Sequence, residues 1–157
     1  MADTAITISD DRVSILSNQE ILTGFTHKFK VLYSDVALGT GSTDTVTMNL
    51  GATPARFIVS QAAVNVTTAF AGTSTITLQV GKTGTLNNFI ADTSVKTIAF
   101  IQPSTGMNTL ATIAGSTATT ATNLVATFTN AGGGSPSALT AGELDIYLAV
   151  RDTTRLP

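Results

Sequence analysis

The chain has 157 residues and a mass of 16.1 kDa, the size of one domain with a modest core. Charged residues make up only 11%, against roughly 25% in typical domains, and the net charge is −2 with a pI of about 5.1. The eight basic residues are dispersed, so the clustered cations that nucleic acid needs are missing, and the absence of cysteine excludes disulfides and thiolate metal sites.

Mean hydropathy is +0.30, yet no run reaches the roughly 18 apolar residues of a membrane span. Thr, Ala, Ser and Gly are spread along the chain, which covers itself with hydroxyls and methyls instead of charges. Disorder normally requires low hydrophobicity with high net charge, and neither holds. A surface largely occupied by contacts with other subunits would account for the shortage of ions, which cost desolvation when buried. A weakly charged monomeric β-domain is the plainer alternative.

The opening residues, MADTAITISDD, are polar and acidic rather than a signal peptide, so synthesis and folding in a cytoplasm are expected. Thr4 to Ile8 and Arg12 to Leu16 are short β-branched stretches. The first 24 residues hold apolar positions without a compact pattern, among them Ile6, Ile8, Val13 and Ile15. This predicts an N-terminal arm or edge segment over 1–24 that lies on its own sandwich or on an adjacent subunit.

From Phe25 to Tyr33, Phe25, His27, Phe29, Val31 and Tyr33 share one face and Lys28 and Lys30 the other, the period of a half-buried strand. Asp44 to Leu50 alternates again, and Arg56 to Val66 is apolar enough for a central strand. Further strands are predicted over Ser74–Val80, Val95–Ile101, Leu124–Thr129 and Glu143–Val150. Turn signals fall at Gly39–Gly41, Gly51–Pro54, Ala71–Gly72 and Gly132–Pro136. The single helical candidate is a turn or two around Leu86 to Asp92, and residues 104–123 read as a long loop or edge hairpin. The expectation is all-β: an antiparallel β-sandwich, jelly-roll-like, with an extended N-terminal segment and a single domain over 25–157.

Motifs for chemistry are few. Gly81-Lys82-Thr83 ends like a phosphate-binding loop, but Ile76 stands where the first glycine belongs, and Gly84 opens the chain that should become a helix. A turn between strands is expected instead. His27 is the one histidine and lies on a strand face with Phe25 and Phe29, which suits a core or edge histidine better than a catalytic or metal-ligating one. Asp10-Asp11 lacks the further oxygen ligands of a calcium loop. Glu143 and Asp145 share one strand face, where they could pair for acid–base work, solubilise the surface, or bridge to Lys and Arg of a neighbour. No G-x-S-x-G elbow occurs, and the sequon Asn65-Val66-Thr67 comes without a secretion signal. No enzymatic activity, catalytic residue, cofactor or metal is expected.

Several stretches between Asp44 and Val95 follow one pattern. A strand ends in Leu50-Gly51 with Pro54 beyond it, then comes an apolar strand leading to Val64-Asn-Val-Thr-Thr-Ala-Phe70. Gly72-Thr73, a strand ending in Val80-Gly81, and Asn88-Phe89-Ile90-Ala91 follow. With the closing segment Leu139 to Leu148, this pattern resembles the β-sandwich decoration (cement) proteins and minor virion proteins of tailed-bacteriophage heads, over about half the chain. The resemblance implies a virion protein on the capsid surface, with the major capsid protein as partner and self-association as a homotrimer. It implies stabilisation of the shell by cross-linking adjacent capsomers, with Ile6, Ile8, Val13 and Ile15 as candidate contacts to the capsid or between subunits. A head-fibre, tail or receptor-binding module that contacts the host surface is the alternative, for which the Ser/Thr/Gly-rich stretches 104–123 and 130–141 would serve as loops.

Overall fold

The structure, a computed structural model, describes residues 4–7, 13–15, 24–38, 44–53, 57–103, 122–132 and 135–152. Strand-favouring Val, Ile, Thr and Phe in near-alternating order put ten strands among these residues. They are β1 (Thr4–Thr7), β2 (Val13–Ile15), β3 (His27–Leu32), β4 (Thr45–Thr53) and β5 (Phe57–Ala71), then β6 (Thr77–Lys82), β7 (Thr85–Ser94), β8 (Ala99–Ile101), β9 (Thr122–Thr129) and β10 (Ala141–Asp152). The first sheet has the order β1-β4-β9-β6-β7 and the second β2-β3-β10-β5-β8. All strand pairs are antiparallel except β1 on β4, which is parallel.

The two sheets form a sandwich because alternate residues of each face inward. Val46, Met48, Leu78, Val80, Ala126 and Phe128 come from the first sheet. Phe29, Val31, Val64, Val66, Leu144, Ile146 and Leu148 come from the second, and all are buried in one core. Phe70 and Phe128 bridge the layers with ring centroids 5.7 Å apart. Burying each large apolar side chain contributes about 1.5–3 kcal/mol, so this layer is the main source of stability. From β3 onward every connection passes from one sheet to the other, save the β6–β7 hairpin.

Several expected boundaries move. The helical candidate at Leu86 to Asp92 is wrong: those residues lie in β7. A helix forms instead at α1 (Tyr33–Ala37), inside the β3–β4 crossover, where the Asp35 carboxylate accepts the Leu32 N–H at 2.8 Å and Val36 is fully buried. Tyr33 therefore leaves the β3 face. Strand β5 continues through the expected stop to Ala71, whereas the expected strand at Val95–Ile101 shortens to β8. Gly51 to Thr53 remain in β4 rather than turning, with a register irregularity between Asn49 and Gly51. The expected turn at Gly39–Gly41, Asp10-Asp11 and residues 104–121 lie outside the described residues, while Thr122 and Asn123 open β9. Proline 136 starts a short 3-10 turn, Pro136–Ala138, ahead of β10.

Candidate functional site

The phosphate-loop letters Gly81-Lys82-Thr83 fall in a β-hairpin. Val80, Gly81 and Lys82 end β6, Thr83-Gly84 make a two-residue turn, and Lys82 pairs with Thr85 at the start of β7. A strand stands where a phosphate loop would need a helix N-terminus. Gly81 has a packing reason: a Cβ there would lie 2.3 Å from the Thr85 carbonyl oxygen and 2.5 Å from Leu86 backbone. Gly84 has φ +87°, the left-handed conformation that a tight hairpin asks of glycine.

The carboxylates Glu143 and Asp145 on β10 face two lysines of β3, the strand beside it. Lys28 Nζ lies 2.9 Å from Asp145 Oδ2, and Lys30 Nζ lies 2.8 Å from Glu143 Oε1. The two carboxylates are thus each tied to a cation rather than to each other, so they are not arranged to share a proton. Asp145 is buried, and its Oδ1 has no hydrogen-bond partner. Lys28 also lies over the Tyr147 ring, 5.6 Å from its centroid, and Phe25 packs at 5.6 Å against the same ring. Burial pushes the Lys28 ammonium down, but the hydrogen bond and charge of Asp145, with help from Tyr147, outweigh it and hold the group above its ordinary value. The Lys30 hydrogen bond holds the Glu143 carboxyl below the usual range. The outcome is a charge-compensated strip on the outer face of the second sheet.

His27 is half-buried, its ring stacked on Phe29 at 6.4 Å and its Nδ1 2.8 Å from Thr26 Oγ1. Burial lowers its pKa, so it is held towards the neutral form. Among the described residues no three His, Cys, Asp or Glu side chains gather to hold a metal ion. No described helix is long and apolar enough to cross a membrane.

The candidate contact positions divide between the sheets. Ile6 sits in β1, opposite Met48 of β4, at one edge of the first sheet. Val13 and Ile15 sit in β2, opposite Phe29 and His27 of β3, at one edge of the second. The arm thus pairs with the edges of its own sandwich at both places, and Ile8 lies outside the described residues. At the opposite edge of the second sheet, Phe100 of β8 and Ile98 just before it are exposed. Sequence reading placed these two inside a strand without seeing that the strand is an edge. The available signal was that Lys96, Ile98 and Phe100 share one parity, so that face leads to solvent.

The described residues therefore offer surfaces and edges, with charges tied in ion pairs and Gly81-Lys82-Thr83 in a hairpin. The chain matches no family model, no curated protein and no solved structure.

Proposed function

We propose that this chain is a structural virion protein, one that binds the outside of a bacteriophage capsid and stabilises it by cross-linking neighbouring capsomers. The observation that carries the reading is the strand order. Taken over β3 to β10, the sheets read first-eighth-third-sixth and second-seventh-fourth-fifth, which supports reading the sandwich as a jelly roll. Viral capsid and lectin domains are built on that architecture. Because one fold hosts many functions, the reading rests equally on the resemblance to head decoration proteins and on a chain with only 11% charged residues.

The mechanism is mass action. A protein that binds only the assembled shell shifts the equilibrium towards it. Modest contacts repeated over a lattice add through effective concentration, so no single one needs to be tight. In this reading the partners are the major capsid protein and further copies of the chain, as homotrimers. The arm positions Ile6, Ile8, Val13 and Ile15 supply contacts once they meet a neighbour.

The test is the copy number of this chain in purified virions, relative to the major capsid protein. A ratio near one is expected. A ratio of a few per cent would replace the cement by a fibre, tail or receptor-binding module, and absence from particles would end both readings.

A further inference from the structure

We propose that the outer face of the second sheet, around the Asp145 carboxylate, is a binding site for an uncharged sugar ring of a glycan. This inference does not rest on the virion reading.

The floor of the site is one row across three strands. Asp145 of β10 stands opposite Asn65 of β5, and Asn65 stands opposite Phe100 of β8. Tyr147 shares the face of Asp145, two residues along β10, and is steadied by Phe25 at 5.6 Å between ring centroids. The half-buried Asn65 amide thus lies between a phenol ring on one neighbouring strand and a phenyl ring on the other. Adjacent strands are about 4.8 Å apart, so the row is about 10 Å wide, enough for a sugar ring laid across it. Its rim is open to solvent: Phe100 is 56% exposed, and the Lys30 side chain, opposite Asp145 on β3, is 47% exposed.

The unpartnered oxygen of Asp145 points to a ligand and to its chemistry. Asp145 is only 6% exposed; its Oδ2 takes Lys28 at 2.9 Å, while Oδ1 has no hydrogen-bond partner. A buried acceptor is stabilised by any donor that reaches it, so the site asks for a hydrogen-bond donor. Lys30 and Asn65 flank Asp145 in its row, and both are side chains with rotamer freedom, so a ligand hydroxyl reaches Oδ1 without a shift of backbone.

The charges decide what kind of donor. Lys28 balances Asp145 and Lys30 balances Glu143. A charged ligand would be drawn to one member of each pair and repelled by the other, whereas a hydroxyl meets no such opposition. Asn65 adds a donor and an acceptor beside the carboxylate. The aromatic rings ask for an apolar surface on the same ligand. A pyranose has both parts, hydroxyls round its rim and C–H bonds over its faces.

The probe is a glycan array carrying uncharged hexose and N-acetylhexosamine chains beside sialylated and sulfated ones, read with the labelled full chain. Binding is expected on uncharged chains; an array blank on them, or binding confined to charged ones, would overturn the proposal. For a chain that the array retains, Phe100→Ser and Asn65→Ala are each expected to weaken binding at least about tenfold. Phe100→Ser, at an exposed position, is expected to keep the wild-type melting temperature. Unchanged affinity in the folded variants would reject the site. Should either variant fail to fold, NMR titration of the wild-type chain with the retained sugar decides: amide shifts are expected at Asn65, Phe100, Asp145 and Tyr147, and shifts confined to other residues would place the sugar elsewhere and end the proposal. A virion copy number of zero would leave the sugar site untouched, so the two readings fail separately.

Discussion

Lys28 and Lys30 sit two residues apart on one strand and make ion pairs of nearly equal length, yet they do different work. The Lys30 pair is open to solvent, with side-chain exposures of 47% and 32%, while in the other pair Asp145 is at 9%. Exposed pairs contribute at most about 1 kcal/mol. Removing the partner of a buried charge costs several times more, because the charge left behind cannot be rehydrated. Lys28→Ala is therefore expected to lower unfolding free energy by about 2 kcal/mol in urea titrations, and Lys30→Ala by less than about 1. Equal losses would mean that Asp145 is better solvated than its burial implies. The shared face of Glu143 and Asp145 was legible in the sequence because strand periodicity is local. Their partners were not, since Lys28 and Lys30 come from the far end of the chain, and nothing in the letters says that β3 lies beside β10.

Strand β7 shows how an element misleads. Leu86, Phe89 and Ile90 fall at helical spacing, and Phe89 and Ile90 are both buried although they are adjacent. The cause is extra residues on β7: pairing passes from Leu78 with Thr93 to Val80 with Ile90, then to Lys82 with Thr85. Each irregularity breaks the two-residue period and imitates a turn of helix. Strand β3, whose register on β10 is unbroken, is legible near its true position because nothing disturbs its alternation. The same hairpin supplies a test. Gly81→Ala would set a Cβ against the β7 backbone and is expected to cost about 2 kcal/mol. Lys82→Ala, at the position where a phosphate loop would be most sensitive, should change stability by less than about 0.5 kcal/mol. Circular dichroism melts of both variants check the pair; a larger loss at Lys82 would point to a role that a strand end does not explain.

At the scale of the whole molecule, three groups among the described residues carry shifts that make stability depend on pH. The folded His27 titrates below its ordinary 6.5, so the neutral ring contributes stability above that value and loses it as pH falls through the depressed pKa. Glu143 behaves the same way below its ordinary 4.5. Lys28 has the opposite sign: its contribution is complete below 10.5 and is lost as pH rises through the elevated pKa. The denaturation midpoint is expected to be flat from about pH 7 to pH 10 and to fall on both sides, with His27→Gln removing the first part of the acid limb. An unchanged acid limb in that variant would show that His27 is solvated when folded. The sandwich itself was legible from alternation and turn spacing, whereas the parallel pairing of β1 and the crossing of nearly every connection were not, because they depend on strands that meet only in three dimensions.

That crossing pattern has a consequence for the life of the chain before it is folded. The last two strands, β9 and β10, each sit in the middle of a sheet, with β9 between β4 and β6 and β10 between β3 and β5. The strands synthesised earlier can form only two-stranded flanks, β1 with β4, β6 with β7, β2 with β3 and β5 with β8, none of which closes a sheet. A nascent chain therefore stays open on the ribosome until its final strands emerge. Closure must then bring together segments such as Val46 and Phe128, a high-contact-order step that is slow and leaves apolar strands exposed meanwhile. Loss of β10 would strip the centre from the second sheet, so a prematurely terminated chain has no partial fold to retreat to.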